Sequence, residues 1–333
     1  MYYIINIYLK KYNLIVLFLL LISPKFIFFL NSLYSMWFLV ELNLLLFIVF
    51  LIMNDKYNSN ISMKYYLVNS FSSMMFLFFV NYSLFDFNGN FQTIMNLMMF
   101  MKLGMFPFHY WFIDMMNNMD WSMCFMLMVW QKYIPLMMIF YFYSIKLIIL
   151  ISLLGGLFSI LMIFNQVVLK KLMGYSSINH MSWMLISIIY SFNLWILYYY
   201  MYMLLNLMVI CLFMKYNLTE ISSFHVFMDM NYFKFYLVFL MFSMGGIPPM
   251  FGFFMKWFYI IELIELESWM ILILIMYSLL FFFFYLRLVF NTMMIYYMTM
   301  HLMYFNNFDD KDMMTIVPLM MFTLINFFMY FYI

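Results

Sequence analysis

Four ionisable residues lie inside long apolar segments of this sequence, where such side chains are rare. Glu41 occurs in WFLVELN, Lys102 in FMKLGMFPFHYW and Lys132 in VWQKYIP, while Lys256 occurs in FFMKWFY. A charge near the centre of a lipid bilayer costs about 2.5 to 3.5 kcal/mol, so structural needs alone rarely keep it there. Lysine and glutamate can both gain or lose a proton. The four residues therefore indicate a proton relay.

The relay hypothesis depends on how a buried charge is balanced. Burial disfavours the charged form of lysine and glutamate, whereas a nearby opposite charge favours it. A lysine held between these effects can change protonation state when its neighbour moves. Pairing of Glu41 with Lys102 is a hypothesis of this kind, and a purely structural ion pair is the alternative. Lys256 lies nearer a polar edge, where its stem could instead extend toward water.

Helix-breaking residues cluster beside two of these lysines. Gly104 and Pro107 follow Lys102. The residues that precede Lys256 are Gly245, Gly246, Pro248 and Pro249. Proline removes a backbone donor and strains the preceding turn. We therefore predict two discontinuous helices, which membranes tolerate where protein or water surrounds the break.

The composition identifies the elements that position these residues. The chain has 333 residues, of which 69% are hydrophobic and 8% are charged, with a mean hydropathy of +1.01. Soluble domains carry about a quarter charged residues. A soluble dehydrogenase, a nucleic-acid-binding module and a disulfide-stapled secreted domain are therefore excluded. The apolar runs predict about eleven spans: 12–30, 32–53, 65–82, 93–112, 122–143, 147–168, 173–190, 194–214, 235–261, 269–290 and 315–333.

These spans predict an all-α polytopic membrane protein that forms a single domain over residues 1–333. No segment alternates with a period of two, so a barrel is disfavoured. The predicted breaks fall in the fourth and ninth spans, which suggests two five-helix repeats of inverted topology. We expect these repeats at about 12–143 and 147–290, followed by a C-terminal helix at 315–333.

Residue usage and charge distribution predict the compartment. The sequence has 46 Phe and 45 Met but no Ala, which indicates an A/T-rich gene read with an extra methionine codon, as in animal mitochondria. Most cations between the spans lie on the N-terminal side, and only Lys25 and Lys146 lie on the opposite side. The positive-inside rule then places the N-terminus in the matrix of a mitochondrial inner membrane.

The remaining candidates are two histidines. His180, in SSINHMSW, could extend a proton wire, and His109 follows the Pro107 break; for each, the alternative is a hydrogen-bonded core histidine. The sequence contains no CxxC, no phosphate-binding loop and no dinucleotide fingerprint. We therefore expect no metal or cofactor on this chain.

Several of these segments resemble the chain 2 family of antiporter-like membrane subunits in mitochondrial NADH-ubiquinone oxidoreductase, respiratory complex I. They occur in the family's order and extend over nearly the full length. They are WFLVELN, KLGMFPFHYW, WQKYIP, KKLMGYSSINHMSW and SMGGIPPMFGFFMKW. The departures are mild, since Ser182 and Met244 stand where the family often has Gly and Leu.

The resemblance implies a role for each charged residue. Glu41 and Lys102 would be the glutamate and broken-helix lysine of a first half-channel, Lys132 the central connecting lysine and Lys256 the lysine of a second half-channel. The full form of these subunits has fourteen helices, and animal versions of chain 2 resemble it without the first three. Eleven spans agree with that.

The resemblance also implies a function and partners. The chain would carry a proton path in the membrane arm of complex I, and NADH, FMN, iron-sulfur clusters and ubiquinone would bind elsewhere in the complex. Expected partners are the antiporter-like chain 4, the small core chains, accessory subunits and lipids such as cardiolipin, with no nucleic acid. Two alternatives stay open, which are a stand-alone cation/proton antiporter and a structural membrane scaffold.

Overall fold

The computed structural model describes residues 14–54, 59–83, 91–227, 231–248, 250–263 and 268–299. These residues form helices, and the part of the chain described contains no strand beyond a single antiparallel bridge between Val168 and Glu220. The predicted all-helical architecture is thus confirmed. The twelve helices labelled here are α1 Leu14–Phe29, α2 Leu33–Asn54, α3 Ser59–Ser83, α4 Phe91–Leu103, α5 Tyr110–Asn118, α6 Trp121–Tyr141, α7 Ile145–Ile163, α8 Leu169–Tyr190, α9 Phe192–Lys215, α10 Asn231–Gly245, α11 Phe251–Leu263 and α12 Ser268–Thr299.

Only part of the predicted span count is supported by helix length. Within the described ranges, five helices are each long and apolar enough to cross a membrane by themselves, and these are α2, α6, α7, α9 and most of α12. The fourth and ninth predicted spans are each divided into two shorter helices, and 315–333 lies outside the described residues. The total of about eleven spans therefore stays a prediction.

The first interruption separates α4 from α5. Helix α4 ends at Leu103, where Gly104 adopts a positive φ of 64°. A Cβ atom on Gly104 would lie 2.6 Å from the Cβ of Phe112, so the turn needs glycine for its conformation and for the close approach. The Trp111 indole donates a hydrogen bond of 3.0 Å to the Met101 carbonyl, which helps to satisfy the backbone at the break.

The second interruption separates α10 from α11. Gly246 has a positive φ of 82° directly after α10. The Ile247 amide donates back to the Phe242 carbonyl, and α11 begins at Phe251. Pro248 lies in this turn, while Pro249 lies outside the described residues. The chain therefore leaves its helical path next to Lys256, as it does next to Lys102.

Helix α8 lies at the centre of the bundle. It packs against α5, α6, α7, α9 and α12, and nearly all of its side chains are buried. Its polar residues, which include Ser176, Ser177, Asn179 and His180, are buried with the apolar ones. A helix that is buried on every side and still carries polar groups must satisfy them within the protein. Helix α8 thus carries a polar strip through the core.

Helix α6 departs from regular α geometry near its middle. Residues Met126–Trp130 form a π-helical segment, and Pro135 lies one turn beyond it. Such π segments are often found at functional sites. Since proline has no N–H, the carbonyl of Gln131 loses its usual intrahelical donor. Gln131 and Lys132 therefore lie between two irregularities of the same helix.

Candidate functional site

The structure buries all three lysines that were singled out from the sequence. Lys102 is 9% exposed in the last turn of α4, Lys132 is 3% exposed in α6 and Lys256 is 7% exposed in α11. Glu41, in α2, is only partly buried. Lys102 and Lys256 each lie beside a helix interruption, and Lys132 lies beside the π-helical segment.

Glu41 is held by the neighbouring helix α3. Its carboxylate accepts a short hydrogen bond from the hydroxyl of Ser73. The Ser73 carbonyl in turn accepts a 3.0 Å hydrogen bond from the Trp37 indole, which fixes the two helices at this level. In the described part of the chain no ion pair joins Glu41 to Lys102.

A cavity of about 20 Å³, lined by both polar and apolar side chains, lies between Lys102 and Lys132. A cavity needs about 10 to 15 Å³ of this kind to hold one water molecule, so this one has room for water. Its walls come from α2, α3, α4, α5 and α6, and its polar lining consists of Asn43, Tyr65, Asn69, Lys102, Trp111, Gln131 and Lys132. The two lysines, which are 30 positions apart in sequence, thus line one cavity that is large enough for a water molecule.

Lys132 also contacts helix α8, which contributes no residue to the cavity lining. Its Nζ donates a 3.0 Å hydrogen bond to the Ser177 hydroxyl and lies 4.5 Å from the centroid of the Phe112 ring. The Ser177 hydroxyl donates onward to the Gly174 carbonyl. A charged lysine here gains one hydrogen bond and one cation–π contact. Lys132 therefore links the cavity to the polar strip of α8.

Between Lys132 and Lys256 the structure places His180 within a group of tyrosines. Nδ1 of His180 lies 2.9 Å from the Tyr198 hydroxyl, and its ring centroid lies 5.2 Å from that of Tyr202. The Tyr198 ring lies 5.3 Å from the ring of Tyr259. On α8, His180 lies three residues beyond Ser177, the hydrogen-bond partner of Lys132. On α11, Tyr259 lies three residues beyond Lys256. The histidine and the tyrosines therefore lie between the two lysines.

Several buried polar atoms in this region have no hydrogen-bond partner among the described residues. They are Asn179 Oδ1, Trp183 Nε1 and Tyr259 Oη. Buried polar groups are nearly always hydrogen-bonded, to protein or to ordered water. Such a concentration of unpaired atoms in one part of the core favours bound water between Lys132 and Lys256.

Lys256 contacts the second interruption directly. Its Nζ donates a 2.9 Å hydrogen bond to the carbonyl of Gly245, the last residue of α10. A Cβ atom on Gly246 would lie 2.9 Å from the same Nζ. The lysine thus occupies space that glycine leaves open. Its side chain turns into the bundle in this structure, although the sequence left open an extension toward a polar edge.

The structure places His109 apart from the other candidates. The ring is buried and stacks on Tyr110 with a centroid distance of 4.3 Å. It does not line the cavity that contains Lys102 and Lys132. A role for His109 in a proton wire stays a prediction.

Sequence reasoning missed the polar groups that lie between the charged residues. Asn43, Tyr65, Gln131 and Ser177 carry no charge, and the chain contains 30 Tyr. One signal was available on α9, where Tyr198, Tyr202 and Asn206 recur at intervals of four and so share one face. The other groups are recognisable only once the helices are packed.

Replacing Ser177 by Ala tests the contact between Lys132 and α8. For the proton relay predicted from the sequence, Ser177→Ala is expected to lower proton translocation by about tenfold, because a hydrogen bond to a charged group contributes about 1.5 to 3 kcal/mol. Ser187→Ala is the matched control, since that hydroxyl on the same helix bonds only to the Met184 carbonyl. Proton uptake by energised vesicles measures both. Equal rates in the two variants would contradict a role for the Ser177 contact.

Comparison with known proteins places this geometry in a family. The family model described as "NADH:quinone oxidoreductase/Mrp antiporter, TM" matches residues 31–282. The chain is 36% identical over 299 residues to NADH-ubiquinone oxidoreductase chain 2 of Anopheles gambiae, covering 84% of this chain and 86% of that one. It is 33% identical to chain 2 of Locusta migratoria, covering 77% and 78%.

Solved structures share the fold at lower identity. A chain of respiratory complex I from Thermus thermophilus aligns with a TM-score of 0.69 and 17% identity over 78% of this chain. This chain spans 65% of that one. A chain of the archaeal membrane-bound sulfane sulfur reductase aligns with a TM-score of 0.76 and 15% identity, over 95% of this chain and 72% of the other. The family model and the relatives above 30% identity together show that the chain belongs to the NADH-ubiquinone oxidoreductase chain 2 family.

Proposed function

We propose that this chain carries a proton path across the mitochondrial inner membrane, as a core membrane-arm subunit of respiratory complex I. The observation that carries the proposal is the burial of Lys102, Lys132 and Lys256 in one bundle, with Lys102 and Lys132 lining the same cavity. Keeping three buried ammonium groups for structure alone would be costly. Proton transfer gives a reason for each of them.

The path runs along the sequence of polar groups at mid-bundle. A proton held on Lys102 Nζ passes through water in the cavity to Lys132 Nζ, which contacts Ser177. From there His180 and the neighbouring tyrosine hydroxyls lead toward Lys256. Water and hydroxyl groups can carry the proton between the lysines, because both kinds of group accept and donate hydrogen bonds.

Glu41 is the control element of this path. Its charge favours the protonated form of Lys102, and any movement or neutralisation of the carboxylate removes that influence. The carboxylate lies at the edge of the bundle on Ser73, where a change in a neighbouring subunit can reach it. We infer that electrostatic changes from the quinone-reducing part of the complex enter this chain at Glu41.

The energy scale of the process is set by the membrane. Moving one charge against the membrane potential costs about 2.3 kcal/mol per 100 mV. For net transport, the free energy of protonating the lysines must change by more than this amount during each cycle. The redox reactions that supply the energy use NADH, FMN, iron-sulfur clusters and ubiquinone on other subunits, and this chain binds none of them.

The chain is assembled with other subunits of complex I. The partners we propose are the antiporter-like chain 4, the small core chains, accessory subunits and lipids such as cardiolipin. The N-terminus lies in the matrix, and residues 12–143 and 147–290 form two five-helix repeats of inverted topology. The first of these ranges contains the break at Lys102 and the second contains the break at Lys256.

A test of the path uses Lys256→Met in the assembled complex. Methionine has a similar length but cannot carry a proton, so we expect NADH-dependent proton translocation to fall by about tenfold or more. Lys25→Met is the control, because Lys25 is exposed on α1. Vesicles with a pH-sensitive dye give the translocation rate. Native electrophoresis with an NADH-oxidation stain shows whether the complex has assembled.

The outcomes separate the alternatives. Normal translocation by an assembled Lys256→Met complex would favour a structural scaffold over a proton path. Migration of the wild-type chain in a small complex without NADH-oxidising activity would favour a stand-alone antiporter. We expect impaired translocation by the Lys256→Met complex and migration of the wild-type chain with the NADH-oxidising complex.

A further inference from the structure

Gln131 is a buried amide with one end fixed and the other end unpaired. Its side chain is 9% exposed. Its Oε1 accepts hydrogen bonds from the Asn43 amide at 2.7 Å and from the Tyr65 hydroxyl at 3.1 Å. Its Nε2 has no partner among the described residues. Two helices, α2 and α3, thus orient this amide while its donor end stays available.

The fixed end of Gln131 is itself supported. The Asn43 side chain lies 3.3 Å from the Ser23 hydroxyl of α1, and the Tyr65 ring packs edge-on against Phe47 at 4.8 Å. Both partners are buried. These contacts leave the Gln131 side chain little freedom to rotate. Such support is typical of a group whose direction matters for function.

Gln131 lines the cavity between the two lysines, together with Lys102 and Lys132. An amide N–H₂ group and an ammonium group are both donors and cannot satisfy one another. A small molecule with lone pairs can accept hydrogen bonds from both. The cavity volume of about 20 Å³ fits water.

We propose that Gln131 is a positioning residue that holds a water molecule between Lys102 and Lys132. This inference rests on the proposed proton path and identifies the group that makes its first internal step efficient. The water accepts a proton from the Lys102 ammonium and releases another to the neutral Lys132 amine. One ammonium is lost at Lys102 and one is gained at Lys132, so protons and charge balance.

The irregular geometry of α6 fits this role. Met126–Trp130 is π-helical, and Pro135 provides no N–H for the Gln131 carbonyl. Gln131 and Lys132 are adjacent, yet the amide bonds to α2 and α3 while the lysine bonds to α8. Successive residues of a helix diverge by about 100°, so these two side chains serve the two sides of one relay.

Gln131→Leu tests the proposal in the assembled complex. Leucine has a similar volume but cannot orient water, so we expect proton translocation to slow by about tenfold, as loss of a hydrogen bond to a charged relay would predict. The rate in D₂O is measured as well, because a poorly held water makes proton transfer limiting and raises the solvent isotope effect. A merely structural role would not change that effect.

Gln166→Leu is the matched control. Gln166 has the same side chain, and its amide bonds only to the Met162 carbonyl at 3.3 Å, at the end of α7. We expect this variant to translocate protons at the wild-type rate with an unchanged isotope effect. Wild-type translocation by an assembled Gln131→Leu complex would overturn the proposal.

A second measurement keeps the proposal testable if Gln131→Leu fails to assemble. In a high-resolution map of the wild-type complex, we expect an ordered water within hydrogen-bond distance of Gln131 Nε2. Dry apolar packing around that atom would overturn the inference. Failure of the proton path itself is a different result, because Lys102→Met would then translocate protons normally as well.

Discussion

Complex I that contains Lys102→Met should assemble normally and lose most of its proton translocation. Lys102 lies at the end of α4, is buried and faces the cavity shared with Lys132. Methionine keeps the volume of the side chain but cannot hold a proton, so the first transfer has no donor. We expect the rate to fall by about two orders of magnitude, as for loss of a positioned acid or base. The translocation rate is measured with a pH-sensitive dye as proton uptake during NADH oxidation.

The control for this substitution is Lys146→Met. Lys146 is exposed at the start of α7, so its replacement changes the net charge equally without altering the path. Native electrophoresis should show the same amount of complex for both variants. If the Lys102→Met complex translocated protons as fast as the Lys146→Met complex, Lys102 would have only a structural role.

Gly252→Ala should prevent stable packing of α10 against α11. A Cβ atom at this position would overlap the carbonyl oxygen of Ser243, a backbone atom that cannot rotate away. Separating the two segments would disturb the turn at Gly246 and the hydrogen bond from Lys256 to Gly245. We expect the chain to lose about 3 kcal/mol of folding stability, the upper end of the usual range for overpacking. The amount of chain retained in assembled complex measures the effect.

Gly155→Ala is the matched control for the steric argument. Its Cβ would approach the terminal methyl of Met105, 2.9 Å away, which is the mobile end of a flexible side chain. We expect this variant to assemble at close to the wild-type level. Equal assembly of the Gly252→Ala and Gly155→Ala variants would show that the second break is less tightly packed than the structure indicates.

The charged part of the candidate site could be predicted from the sequence because burial of charge is so unfavourable. Lys102 and Lys132 lie deep in apolar segments, so their types alone indicate function. Glycine and proline add a second signal, because they interrupt helices at definable positions. The structure places interruptions after Leu103 and after Gly245, within the fourth and ninth predicted spans.

The uncharged part could not be predicted in the same way. Gln131, Ser177 and Tyr259 acquire their roles from neighbours on other helices, and no local pattern encodes those contacts. Burying a hydroxyl or amide group inside a helical bundle costs little free energy. The presence of such a group therefore does not indicate a functional site. The position of Glu41 at the edge of the bundle, rather than in its centre, likewise depends on how α2 packs against α3.

A map of the intact complex that resolves ordered water tests the central claim most directly. The claim predicts water in the cavity between Lys102 and Lys132, and further water beside His180 and the hydroxyls of Tyr202 and Tyr259, leading to Lys256. Dry packing between these lysines, with their ammonium groups bonded only to protein, would contradict it.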